Sequence, residues 1–341
     1  MSPGPVAPAA VAAVVDALAA LGTFSDPLAW LVVAAFLAGA ILERFDERRA
    51  RYAFAAAWLL FGVFWLTLIH HFAFVQKSII EGIGTVVAVP VSVAVAVLLF
   101  RGRDSLFVAS RAIAFMGLLF LPFESIPLLR RTLVETVTGQ TAFLVNALGY
   151  DPAILDGMTV DGHPIPAKQR PYWSTFVFYH EGQPLTYTVL VACTGLGSMA
   201  IMGGLIAAVD APLRRKAKAL LVSIPIIYGL NLVRNVFIAV GFGKQLFHVF
   251  PGVVSALFGI ENGVMVSYYV ADRIVAQSLS VVAMLAITWL IVHELPEVLT
   301  VLEDLLFVFT GREYDLADAL GLDRTPESGE LPSEATRSEA D

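Results

Sequence analysis

Apolar residues along this chain come in long blocks separated by short polar loops. The blocks at 27–42, 52–69, 79–100, 106–122, 187–209, 219–242 and 264–292 approach or exceed the ~20 residues that cross a bilayer as a helix. Seven membrane-spanning helices are therefore expected. Residues 6–22 are Ala-rich with Asp16 near the middle, which leaves two readings open, an eighth span or an interfacial helix; we take them as a short extra helix. No basic residue precedes this apolar run, so it does not have the form of a cleavable signal.

The polar loops set an orientation. Arg44, Arg48, Arg49 and Arg51 follow the first block, Arg101 and Arg103 the third, and Arg214, Arg215, Lys216 and Lys218 the fifth. These alternate loops lie on one side, which the positive-inside rule assigns to the cytoplasm. The connection at 123–186 then faces outward as a cap. It opens with an amphipathic stretch (Leu128, Leu129, Leu133, Val137) suited to the membrane surface. A turn-rich section at Val160-Asp161-Gly162 follows, and then a β-hairpin through Phe176–His180 and Leu185–Leu190 with Glu181-Gly182-Gln183 as its turn. The expected architecture is an all-α polytopic membrane protein of seven to eight transmembrane helices with a small extracytoplasmic cap. Residues 1–293 form that membrane body. Residues 294–341 form a cytoplasmic segment, with an amphipathic helix at 298–309 and, beyond Arg312, an acid-rich tail expected to be disordered.

Composition agrees with the blocks: of 341 residues 57% are hydrophobic and only 15% charged, against about 25% charged in an ordinary soluble domain. The net charge of −7 is unevenly placed, because residues 294–341 hold 13 of the 29 acidic groups and only three arginines. Arginines outnumber lysines 17 to 5, which together with the acidic tail resembles the usage of salt-loving archaea. One cysteine forbids an internal disulfide, and no Cys/His cluster offers a metal site, so no cofactor or metal is expected. There is no Walker loop, Rossmann fingerprint or Gly-x-Ser-x-Gly, and nothing points to nucleic acid.

Ionisable groups inside a span cost on the order of 2.5 to 3.5 kcal/mol each, so each calls for a reason. Two stand out, Arg234 in the sixth block and Arg273 in the seventh. Counted from the outer ends of their helices, Cys193, Arg234 and Arg273 all lie roughly 10 to 15 Å below the outer surface at 1.5 Å per residue. Cys193, Gly197, Ala200, Gly204 and Ala208 would form one ridge of small residues, and Tyr269, Arg273, Gln277 and Ser280 one polar stripe. A thiol of ordinary pKa about 8.5 is mostly protonated at neutral pH, and neighbouring guanidiniums would favour the nucleophilic thiolate. They would also donate to an oxyanion, but they cannot act as general base. The proton for a leaving amine has Tyr268, Tyr269 and His180 as candidate sources.

Plainer explanations compete. A lone cysteine in an apolar chain is ordinarily a small core residue, and an intramembrane arginine is as often a structural ion pair, here with Asp272 or Glu261. The other histidines sit at span ends or in loops. A transporter binding an anionic solute through Arg234 and Arg273, with Cys193 dispensable, is the alternative function; a scaffold tolerant of all three changes is a third.

The segment Ala-Cys193-Thr194-Gly195-x-Gly197-Ser198, with Asn231-x-x-Arg234-Asn235 and Ala271-Asp272-Arg273 in the next two blocks, resembles the exosortase/archaeosortase family. Arginine at 273, where the bacterial branch usually carries histidine, matches the archaeal branch. The resemblance implies a membrane-embedded cysteine protease and transpeptidase with Cys193 as nucleophile and Arg234 and Arg273 as catalytic partners. It further implies that the substrates are exported or surface-layer glycoproteins with a C-terminal sorting signal: a Pro-Gly-Phe motif, a hydrophobic helix and a basic end. The new carboxyl end would be joined to a membrane lipid acceptor.

Overall fold

A computed structural model describes residues 9–76, 78–156, 159–160, 163–164 and 172–322. Helix α1 (Ala9–Leu21) passes through a single 3₁₀ turn into α2 (Ser25–Glu43), so the Ala-rich start continues the first span end to end. Next come α3 (Glu47–His70), α4 (Ile79–Phe100) and α5 (Leu106–Ser125). Asp46 caps α3 by accepting from the Arg49 amide at 3.1 Å, and Ser78 caps α4. These helices close on a dry core of Phe36, Phe54, Trp58, Leu99 and Phe107. Inside it the Trp58 indole N–H donates to Ser110 Oγ at 2.9 Å, which satisfies the one polar atom the ring brings in.

Helix α6 (Pro127–Ala147) differs from the surface-lying stretch expected at its start. Leu128 is exposed, whereas Val134, Val137, Thr138, Thr141 and Val145 are buried at helical spacing. That stripe joins a core shared with α8 (Leu213–Gly243) and the cap. The cap contains β1 (Ala153–Leu155), a small pair β2 (Thr159–Val160) and β3 (His163–Pro164), then β4 (Thr175–His180) and β5 (Gln183–Thr188). The antiparallel sheet has the order β1-β4-β5, and β4 and β5 form the expected hairpin with a shorter turn: Gln183 already belongs to β5, opposite His180, and the strand ends at Thr188, opposite Thr175. Glu181 and Gly182 both have positive φ, 50° and 77°, as a two-residue type I′ turn requires. Of the turn expected at 160–162, Asp161 and Gly162 lie outside the described residues.

The block at 187–209 departs from expectation. It begins in strand β5, passes through a 3₁₀ turn at Val191–Cys193 and becomes helical only as α7 (Leu196–Ala208). Thirteen residues give a helix of about 20 Å, shorter than a full span. Among the described residues six other helical stretches are long and apolar enough to cross a membrane. A strand end and a helix start are both uniformly apolar here, and periodicity does not separate them. Cys193 therefore sits on a turn above the helix, not on its ridge. The ridge proper closes against α5, where a Cβ at Gly204 would lie 2.6 Å from the Ala112 carbonyl oxygen.

After α8 come α9 (Pro251–Phe258), α10 (Met265–Glu294), α11 (Leu299–Thr310) and α12 (Leu316–Leu320). Within α10 the stretch Tyr269–Ala276 is a π-helix. At the far end of α8 and α10 the basic loops gather acidic partners. Arg103 reaches Asp304 at 2.7 Å and pairs with Glu313, Arg215 at the start of α8 reaches Glu297 at 2.8 Å, and Arg111 in the first turns of α5 pairs with Glu43 and Asp210. The helix expected at 298–309 is α11; it buries Leu299, Glu303 and Asp304 and leaves Leu305 and Phe309 exposed. The start of the tail is more ordered than expected. Asp315 caps α12, Glu303 accepts from the Leu316 amide at 2.7 Å, and Ala317 is buried. The rest of the tail, 323–341, lies outside the described residues.

Candidate active site

The site forms where the 3₁₀ turn, α8 and the π-helical part of α10 meet, at the end of the bundle opposite the ion-pair layer. Arg234 stands 21 residues beyond Leu213, and Arg273 as many before Glu294, placing both roughly 30 Å from that layer along their helices.

The turn is held from α8. The Nδ2 amides of Asn231 and Asn235 donate to the Cys193 carbonyl oxygen at 2.7 and 2.8 Å, occupying both of its lone pairs. Asn235 is fully buried, and its Oδ1 accepts from the Tyr187 hydroxyl at 3.0 Å. Gly195 is left-handed at φ 77°, and a Cβ there would lie 3.0 Å from the side chain of Asn231. Glycine is required on both counts: the backbone turns where L-residues are strained, and the Asn231 amide fills the space. Cys193 itself is half-buried.

Arg234 projects from the same turn of α8. One of its terminal nitrogens donates to Asp272 Oδ1 at 2.7 Å, and Arg273 Nε lies 3.5 Å from Asp272 Oδ2. Asp272 thus stands between the two guanidiniums and is buried, while Glu261, the other candidate partner, is exposed. Arg273 Nε is buried and makes no aligned hydrogen bond. Cys193 and Tyr268 both pack, partly buried, against the core that contains Tyr187.

Arg234 and Arg273 meet at Asp272, and Cys193 sits on the turn held by Asn231 and Asn235, which flank Arg234 on α8; the arginines are joined through Asp272 instead of both being aimed at the thiol. The proposed polar stripe on α10 does not form as drawn. The π turn widens the helix, Gln277 Nε2 donates to Ser78 Oγ at 2.8 Å, and Tyr269 packs on Phe258 at 4.8 Å. Of the candidate proton sources, Tyr268 packs against the same core as Cys193. His180 sits at the hairpin tip, about 16 Å along the strands from Thr188, and does not.

Tyr187 carried no sequence signal, since one tyrosine in a strand is ordinary. Asn231 and Asn235 did carry one: two amides at i and i+4 flanking an intramembrane arginine. Among the described residues no three His, Cys, Asp or Glu side chains are grouped to hold a metal ion. A cavity of about 1010 Å³ runs between α2, α3, α5 and α7, lined by Trp30, Phe64, Trp65, Arg130, Gly197 and Ala200 among others; Cys193, Arg234, Asp272 and Arg273 do not line it.

Comparison with known proteins places this geometry in context. The family described as transmembrane exosortase matches residues 21–265, a stretch that includes Cys193 and Arg234. Archaeosortase A of Haloferax volcanii is 48% identical over 312 residues, covering 89% of this chain and 99% of the relative. Archaeosortase A of Natronomonas pharaonis is 45% identical over 288 residues, covering 84% and 89%. No solved structure matches the chain.

Proposed function

This chain belongs to the transmembrane exosortase family, a multi-pass membrane enzyme that processes proteins bearing a C-terminal sorting signal, and we propose that it does so as a cysteine transpeptidase with Cys193 as nucleophile. The observation that carries the chemistry is that one turn of α8 holds the Cys193 carbonyl with two amides and also presents Arg234, which Asp272 links to Arg273.

In the reaction, Cys193 Sγ as thiolate attacks the carbonyl carbon of the scissile peptide bond. The oxygen that becomes negative accepts from the guanidiniums; the Arg273 Nε–H, which is buried and makes no hydrogen bond, suits that role, since such a donor is otherwise costly. The C–N bond breaks, the leaving amine takes up the proton the thiol released, and a thioester remains on Cys193. A lipid acceptor then attacks the thioester and regenerates the thiol. The largely apolar cavity against α7, with Arg130 in its lining, suits a lipid chain carrying a polar head. Arginine-rich loops at the opposite end of the bundle support an extracytoplasmic site and a cytoplasmic C-terminal segment. Anion transport through Arg234 and Arg273 is not favoured, because the relatives of this chain are archaeosortases.

The test is a substrate protein ending in Pro-Gly-Phe, an apolar helix and basic residues, processed in vesicles by the wild-type protein and by Cys193→Ala. The variant is expected to insert and fold yet leave the substrate intact, and wild-type processing by it would overturn the assignment.

A further inference from the structure

We propose that Asn231, Asn235 and Tyr187 are positioning residues that set the distance between Cys193 and Arg234, a role that rests on Cys193 being the nucleophile. Cys193 lies on a short 3₁₀ turn between a strand and a helix, a connection with little rigidity of its own. What fixes it is α8. Asn231 and Asn235 are one helical turn apart on the same face, with Arg234 beside them, and both donate to the one carbonyl oxygen of Cys193. The helix thereby acts as a ruler, because the turn that carries the nucleophile and the residue that carries the guanidinium are referenced to the same five residues of backbone, 231–235.

A carbonyl oxygen only accepts, so the contact requires the Nδ2 side of each amide to face Cys193. Asn235 then turns its Oδ1 away from the turn, where the Tyr187 hydroxyl donates to it at 3.0 Å. Tyr187 stands on β5, whose chain leads within a few residues to Cys193, so the clamp ties the cap sheet, the nucleophile turn and α8 together. The Asn235 side chain is fully buried, and Tyr187 nearly so, which removes competition from water and makes each missing partner expensive.

Misplacing reacting groups by about 1 Å costs on the order of 10²-fold in rate. Asn235→Leu keeps the side-chain bulk and leaves Asn231 in place; it is expected to lower kcat by roughly that factor with KM changed by less than about twofold. Tyr187→Phe removes only the hydroxyl, is the milder test should Asn235→Leu fail to fold, and is expected to lower kcat by roughly threefold to tenfold. The decisive measurement is a double-mutant cycle with Arg234→Lys. If the clamp acts by holding Cys193 in register with Arg234, Asn235→Leu or Tyr187→Phe costs little further rate once Arg234 has been changed.

Kinetics are measured on the purified full chain in vesicles, with thermal unfolding recorded for each variant. Additive losses in the cycle, an unchanged kcat, or a rise in KM alone would overturn the proposal. Processing by Cys193→Ala, run alongside, would instead show that the nucleophile assignment beneath it is wrong.

Discussion

Asp272 is the residue whose loss the structure prices most directly. Its carboxylate sits 7% exposed between Arg234, 25% exposed, and Arg273, 15% exposed. Removing one partner from a fully buried pair costs about 3–5 kcal/mol, because the remaining charge stays desolvated. A quarter of Arg234 is open, so screening discounts that figure to about 2–3 kcal/mol for Asp272→Asn, which keeps the shape and an acceptor oxygen but not the charge. The two guanidiniums then also repel each other across the neutral amide.

The assay is thermal unfolding in detergent for Asp272→Asn, Arg234→Gln and the double variant. Arg234→Gln in the Asp272→Asn background removes one of the two uncompensated charges and the repulsion between them, so the double variant should be more stable than the sum of the single losses by at least about 1 kcal/mol. Two results would refute the reasoning: additivity within about 0.5 kcal/mol, or an Asp272→Asn protein as stable as wild type. Either would mean that the arginines find their counter-charge elsewhere.

Two further outcomes follow from packing and charge. A Cβ at Gly204 meets backbone atoms of α5, the Ala112 oxygen at 2.6 Å and the Met116 nitrogen at 2.7 Å, whereas one at Gly197 meets nothing within 4 Å. Gly204→Ala should therefore cost about 1–3 kcal/mol in unfolding experiments and Gly197→Ala very little, and equal effects would discard the close approach of α5 and α7. At the other end, hydrogen bonding to Arg103 holds the exposed Glu313 carboxyl below the usual carboxylate range. Because its pKa is depressed in the folded protein, its contribution is present above about pH 4 and is lost as pH falls through the folded value. Limited proteolysis should find the 311–322 segment released on acidification below that point, with Glu313→Gln flattening the dependence; an unchanged profile in that variant would rule out the Glu313 contact as the latch.

Much of this molecule is legible before folding because a bilayer imposes strict terms on sequence. Spans must be long and apolar, basic loops must stay on one side, and an arginine inside a span must have a purpose, so the helices and the candidates Cys193, Arg234 and Arg273 could be picked out from residue types and spacing alone. The hairpin was equally legible, since Glu181-Gly182 supplies the positive φ values its turn needs. Three things were decided only in three dimensions. The apolar run at 187–209 does not say where strand gives way to turn and turn to helix, because all three bury the same residue types; contacts with α8 place Cys193 on the turn. Gly195 reads as one more small residue until Asn231 is seen filling the space where its Cβ would be. Whether Arg234 and Arg273 share one counter-charge depends on the π turn that aims Asp272 between them, and backbone geometry of that kind leaves no mark on hydrophobic periodicity. Sequence sets which groups the membrane protein carries to one depth, and tertiary packing sets which of them touch.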